Sequence, residues 1–340
     1  MAVKLKSLSE QVMVITGASS GIGLTTARMA AAKGARLVLA SRNEEALAKL
    51  TDEIAAAGGQ AVHVVGDVGN YGDVTKIAAE ALNRFGAIDT WVNNAGVSIY
   101  GKLLSVPIQD MRQLFETNFW GMVYGSLVAA SNMKDSGGAL INIGSTLSDR
   151  AIPLQGIYCA SKHAVKGFTD ALRMELEADG FPISVTLIKP AAIDTPYKEH
   201  AKNYLGIQPE NPPPVYAPET VAEAILHCAE NPVRDLFIGA AGRALSAMGE
   251  YAPRLTDRIM QATMLGQTQN DEADTDRALE GLYEPNDSRL NERGNYDGHV
   301  SESSLYTKAS LHPVLTGTAL AIGAAGLAYT IYAKRNSREH

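Results

Sequence analysis

The chain has 340 residues, 46% of them hydrophobic and 20% charged, which supplies a full core and excludes global disorder. A net charge of −7 argues against nucleic acid as the main partner. Two cysteines, Cys159 and Cys228, exclude a disulfide scaffold and a Cys-based zinc site, and fit a reducing compartment.

Lys4 and Lys6 run directly into the first apolar stretch, which is not the pattern of a secretory signal. From there short β-branched runs alternate with Ala-rich amphipathic stretches. The runs predict strands over 12–16, 36–41, 61–65, 90–93, 139–143, 184–188 and 235–238. The stretches between them predict helices over 21–33, 44–57, 72–85, 108–132, 158–178 and 218–229, with another over 243–265 broken near Pro253. Continuous apolar strands separated by helices imply a parallel sheet covered on both faces, and the doubly wound α/β Rossmann fold is the simplest such architecture.

The segment 266–306 is different. It holds ten acids against Arg277, Arg289 and Arg293, so it carries the chain's whole net charge. Its polarity predicts a disordered acidic linker over 266–310, after a catalytic domain over 1–265. A C-terminal hydrophobic helix over 311–340 follows. Within it, residues 314–333 are uncharged and end in Lys334 and Arg335. Twenty residues at about 1.5 Å each match a bilayer core, with Tyr329 and Tyr332 as interfacial anchors. The alternative is a helix packed on the domain or on a sister subunit. The membrane reading places the protein at a membrane, with its catalytic domain facing the cytoplasm.

The first strand ends in Thr16-Gly17-Ala18-Ser19-Ser20-Gly21-Ile22-Gly23. A Gly-rich turn between strand and helix lets backbone N–H groups approach a pyrophosphate at a helix N-terminus; the alternative is a plain tight turn. The second strand ends in Ser41-Arg42, with no acid to bind a ribose 2′-OH. Ser41 and Arg42 suit the 2′-phosphate of NADP(H) instead, unless Arg42 is a simple surface residue. Asp67-Val68 and Asn93-Asn94-Ala95-Gly96 stand at the carboxyl ends of two further strands, where open α/β sheets bind ligands.

Tyr158 and Lys162 lie four apart on one helix face. An ammonium near a phenol favours the phenolate, so Tyr158 is expected to have a lowered pKa and to act as a general acid/base. Ser145, thirteen residues earlier and just past a strand, is placed to hold a substrate oxygen. His163 and His200 have no partners at metal-ligand spacing, so no metal site is expected.

These motifs together resemble the short-chain dehydrogenase/reductase family over residues 8–240. Thr16-Gly17-x-x-x-Gly21-x-Gly23 is similar to the family's cofactor loop, and Asp67 to its adenine-binding residue. Asn93-Asn94-Ala95-Gly96 is similar to its sheet-stabilising motif. Asn118 resembles the Asn that kinks its helix and holds a relay water. Ser145, Tyr158 and Lys162 resemble the remaining catalytic residues, the Lys also holding the nicotinamide ribose. Lys189-Pro190-Ala191-Ala192-Ile193-Asp194-Thr195 resembles the stretch that contacts the nicotinamide through Pro190, Ile193 and Thr195, with Ala191 where the family has Gly. The resemblance implies strand order 3-2-1-4-5-6-7, a homodimer or homotetramer, and hydride transfer between NADP(H) and a carbonyl/alcohol substrate. A membrane tail hints at a lipophilic substrate. The rival is a non-catalytic nucleotide sensor or scaffold on the same fold.

Overall fold

The strand β1 (Val12–Thr16) reads VMVIT, and all five residues are buried. Such a strand must be covered on both faces. β5 (Gly138–Ile143) and β6 (Ile183–Pro190) are buried at every position as well. Around them stand β2 (Arg36–Ser41), β3 (Gln60–Val65), β4 (Thr90–Asn93) and β7 (Asp235–Ile238). All pair in parallel, in the order β3-β2-β1-β4-β5-β6-β7. This is the doubly wound sheet the sequence implied. The direction of winding reverses between β1 and β4, which opens a crevice at their carboxyl ends. The computed structural model describes residues 3–265, 280–285, 289–312, 316 and 318.

The helices are α1 (Gly21–Ala32), α2 (Glu44–Ala56), α3 (Tyr71–Phe85), α4 (Ile108–Phe115), α5 (Gly121–Met133), α6 (Gly156–Ala178), α7 (Pro218–Glu230), α8 (Ala240–Tyr251), α9 (Pro253–Met264) and α10 (Leu305–Leu311). Alternation along β1 splits the core in two. Met13 and Ile15 join Leu24 of α1, Leu47 of α2 and Ile225 of α7. Val12 and Val14 join Ile77 of α3, Val128 of α5 and Leu172 of α6. The Asn43 side chain caps α2 by accepting from the Ala46 amide at 3.0 Å, which holds the chain immediately after Arg42.

Two expectations change. The continuous helix that periodicity predicts over 108–132 is interrupted by a π-helical turn, Glu116–Trp120, at Asn118, where the family resemblance implied a kink. The Asn118 side chain pairs with both backbone groups of Val97: Oδ1 accepts at 2.8 Å and Nδ2 donates at 2.9 Å. The widened turn thus reaches the loop after β4.

The acidic linker is the second change. Its first part, 266–279, lies outside the described residues. Residues 280–285 and 289–310 are not detached from the domain. Leu282 is fully buried, and Leu290 packs on the core of the α1 face. Val300–Ser301 pairs with Val215–Tyr216 in a small parallel sheet. Thr307 at α10 accepts from the Gly239 amide at 3.1 Å, and Leu311 enters the core. The apolar residues of this segment are few, and Leu282, Leu290 and Leu311 are the ones that seat it, while Leu305 stays exposed. The expected membrane span, 314–333, lies outside the described residues apart from Thr316 and Thr318. Among the described residues no helix is long and apolar enough to cross a membrane.

Candidate active site

Between β1 and α1 the backbone makes a turn that only glycine permits. Gly17 has φ of 66°, and a Cβ on Gly23 would lie 2.1 Å from the Gly17 carbonyl oxygen. Ser20, at the N-cap of α1, makes no side-chain capping bond, so the helix end presents bare backbone donors. One of these is taken within the chain: the Gly21 amide donates to the Asn291 carbonyl at 2.9 Å. Asn94 ties β4 to this turn, donating to the carbonyls of Thr16 at 2.9 Å and Gly17 at 3.2 Å. Thr16 Oγ1 accepts from the Asn94 and Ala95 amides in return. Behind them Asn93 accepts from Trp91 Nε1 and donates to Asn142 Oδ1, both at 2.8 Å, in a buried network that holds the sheet centre.

Ser145 stands two residues past β5 and caps the short turn Thr146–Ser148, its Oγ accepting from the Leu147 amide at 3.0 Å. Tyr158 and Lys162 project from the first turns of α6. The Tyr158 hydroxyl faces those of Ser145 and Tyr197, both of which favour its ionised form, and the Tyr158 and Tyr197 rings meet edge-on with centroids 5.6 Å apart. Lys162 Nζ donates to the Ile143 carbonyl at 2.9 Å and stands 5.7 Å from the centre of the Tyr158 ring. Burial governs both groups. It pushes Tyr158 up to about 12, against the opposing hydrogen bonds from Tyr197 and Ser145. It brings Lys162 down to about 8. The expectation of a lowered Tyr158 pKa is therefore corrected, because losing solvent around the phenolate outweighs the neighbouring hydroxyls that favour it.

One cleft of about 710 Å³ joins these features. Of the residues expected at the site, Gly17, Ser19, Ser20, Gly21, Ile22, Ser41, Arg42, Asp67, Val68, Asn94, Ala95, Gly96, Ser145, Tyr158, Lys162, Pro190, Ile193 and Thr195 line it. Gly23 and Asn118 stand one layer behind, supporting the turn and the Val97 backbone. Asp67 Oδ1 accepts from the Gly69 amide at 2.9 Å. The Pro190 carbonyl accepts from Thr146 Oγ1 at 3.2 Å. The only non-glycine residue with positive φ among the described residues is Leu154, so Ala191 follows Pro190 without needing a left-handed backbone.

The cleft fits an extended dinucleotide. It runs along the carboxyl ends of the central strands, with a glycine turn and open helix donors midway and Ser41 and Arg42 beyond them. The site differs from expectation at Arg42. Its guanidinium donates to four backbone carbonyls of the C-terminal segment, those of Gly281, Leu282, Tyr283 and Glu284, at 2.5–3.4 Å.

The stretches after Gly96, along 146–156 and after Thr195, where the sequence places the substrate pocket, do line the cleft, but their polar grouping, the wall from α8 and α9 and the rim from the C-terminal segment were not foreseen. Gln155 Nε2 donates to Ser98 Oγ at 3.2 Å and to the Tyr197 hydroxyl at 3.5 Å, and the Tyr197 ring packs edge-on against Tyr158. With Tyr100, which lines the same part of the cleft, they make a polar strip beside Tyr158. Leu245, Met260 and Met264 of α8 and α9 supply apolar wall. Gly281 and Pro285 bring the supposed linker into the cleft's rim. Ser98, Tyr100, Gln155 and Tyr197 carried a signal, since each follows a strand end or catalytic residue; the α8 and α9 wall and the 281–285 rim depend on which segments meet in space. Among the described residues no group of His, Cys, Asp and Glu forms a metal site.

A family model described as short chain dehydrogenase matches residues 11–204. An uncharacterized oxidoreductase YxnA of Bacillus subtilis is 48% identical over 322 residues, covering 94% of this chain and 90% of its own length. The dehydrogenase/reductase SDR family member 7B of Bos taurus is 34% identical, over 73% of this chain and 80% of its own. An alcohol dehydrogenase from the archaeon Thermococcus sibiricus, solved with 5-hydroxy-NADP, superposes with a TM-score of 0.60 at 27% identity, covering 67% of this chain and 95% of its own.

Proposed function

The chain belongs to the short chain dehydrogenase family, and from that premise we propose that it transfers a hydride between NADP(H) and a lipophilic carbonyl/alcohol substrate. That it is an oxidoreductase acting on a CH–OH/C=O pair follows from the family and its relatives. One observation carries the finer reading. The hydroxyls of Ser145 and Tyr158 face each other in a cleft that the glycine turn, Ser41 and Arg42 also line, with Lys162 beside them.

A bound nicotinamide dinucleotide would supply the hydride; the rest falls to the chain. Tyr158, with its pKa near 12, is protonated at neutral pH and so stands ready as the acid for a forming alkoxide. Ser145 holds the substrate oxygen against it. Lys162 keeps its ammonium at neutral pH, favours the Tyr158 phenolate once that proton leaves, and would hold the nicotinamide ribose of a bound cofactor. Asn118 fixes the Val97 backbone and supports proton resupply from behind the site.

Ser41 and Arg42, with no acid at the end of β2, support NADP(H) over NAD(H). The archaeal relative's bound 5-hydroxy-NADP agrees with that choice. Leu147, Ile152, Leu245 and Met260 support a lipophilic substrate. The test is titration with NADPH and NADH, followed by turnover of hydrophobic ketones and aldehydes. NADPH should bind about ten- to a hundredfold more tightly, and Arg42→Asp should erase the difference. Equal binding of both cofactors by the parent chain overturns the preference.

The uncharged stretch 314–333 supports a membrane-associated protein with its catalytic domain on the cytoplasmic side. Recovery of the full chain in the soluble fraction at both low and high salt rejects that. The exposed Trp120, Leu127 and Met174 on and beside α5 and α6 support a homodimer or homotetramer, which sedimentation would test.

A further inference from the structure

The segment 280–285 is tied to the rim of the cleft on two sides. On one side Arg42 gathers its four consecutive carbonyls. On the other, the Tyr283 hydroxyl donates to Asp110 Oδ1 at 2.6 Å, and Glu280 pairs with Lys202 at 2.9 Å. Lys202 also reaches Asp110 at 3.3 Å, and the Tyr204 hydroxyl donates to the same carboxylate. Between these anchors the Gly281 amide donates to the His200 carbonyl at 2.8 Å. Leu282 is fully buried in the cluster that holds Ile99, Leu114 and Tyr158. The chain therefore closes a strap over its own cleft, and Gly281 and Pro285 form part of the wall.

Arg42 is the informative anchor. Both terminal nitrogens of its guanidinium are committed to strap carbonyls. Carbonyl oxygens and a phosphate dianion are both acceptors, and crowding them on one cation sets like partial charges against each other. Charge-assisted bonds to a phosphate are the stronger of the two. A 2′-phosphate at the end of β2 would therefore draw the guanidinium away from the carbonyls.

Building on the NADP(H) reading above, we propose that residues 280–285 form a strap latched by Arg42, and that the cofactor's 2′-phosphate competes with it for that latch. NADP(H) binding loosens the strap at this side, whereas NAD(H), lacking the phosphate, leaves it fastened. Arg42 would then select the cofactor and release the cover in one step. The strap's hold is subtracted from NADP(H) affinity only, so weakening the strap elsewhere should sharpen the preference for NADP(H).

The test is amide hydrogen exchange of the full chain, alone and with saturating NADP⁺, NAD⁺, 2′,5′-ADP or 5′-AMP. Exchange across 280–285, the Gly281 amide included, should speed up roughly tenfold or more with NADP⁺ and 2′,5′-ADP. It should stay unchanged with NAD⁺ and 5′-AMP. Tyr283→Phe removes one strap anchor and lies outside the catalytic cluster. It should tighten NADPH binding a few-fold and leave NADH binding as it was. Unchanged or slower exchange with NADP⁺, in a chain that prefers NADPH, overturns the competition and leaves the cofactor reading standing. Equal binding of the two cofactors overturns both. A Tyr283→Phe variant that binds NADPH no better than the parent also counts against the competition.

Discussion

Replacing Lys162 with Met should make the chain without cofactor more stable while abolishing turnover. Lys162 is 5% exposed, and its hydrogen bond to the Ile143 carbonyl is the contact that holds its ammonium. Burial brings its pKa from 10.5 to about 8. The folded group thus releases its proton at lower pH than the unfolded one. Between about pH 8 and 10.5 the unfolded chain binds more protons, so stability rises with pH across that window. Below it both states are protonated, and the folded state carries the whole penalty, about 3 kcal/mol at 1.36 kcal/mol per pKa unit. Met keeps an unbranched stem and no charge. It relieves that penalty but strands the Ile143 carbonyl, at about 1–3 kcal/mol. The net gain at pH 7 is about 1 kcal/mol. The change with pH is the sharper quantity, because the stranded carbonyl contributes equally at every pH. Urea unfolding of parent and variant should show the variant's advantage falling by about 2 kcal/mol between pH 7 and pH 10 and reversing sign. A difference that does not change with pH would refute the reasoning.

Other substitutions probe the remaining parts. Tyr158→Phe removes one hydroxyl from the cleft floor and should keep NADPH affinity while losing turnover of the best ketone by about 10²-fold or more; a parental rate would take the acid's role from Tyr158. Gly23→Ala places a methyl 2.1 Å from the Gly17 carbonyl and should abolish nucleotide binding, measured by calorimetry. Tyr197→Phe removes a hydrogen bond that opposes the upward shift of Tyr158, so the alkaline limb of the pH–rate profile should move to higher pH with little change in KM. Leu282→Ala empties a fully buried site and should cost about 2–3 kcal/mol if the strap stays down, less if it lifts. For the same reason a chain ending at residue 265 should unfold at lower temperature than the full chain, because the cover over Ile99 and Leu114 is gone.

What could be read from the sequence was local or periodic. Strand and helix positions followed from runs such as VMVIT and from the 3.6-residue spacing of α2 and α3, because burying one face requires that spacing whatever lies opposite. The glycine turn, Asn94, Ser145, Tyr158 and Lys162 were legible because a doubly wound sheet puts strand ends and following turns on one rim. What only the tertiary structure decided depended on solvent and on backbone. Whether the Tyr158 phenol moves up or down is set by how much water reaches it against which hydroxyls from other segments face it, and no spacing along α6 contains that balance. The strap escaped because Arg42 holds it by main-chain carbonyls, which every residue possesses and which leave no mark in composition. Leu282 escaped because a single apolar residue among acids lowers no window average, yet one side chain is enough to seat a loop when a pocket of its size awaits it.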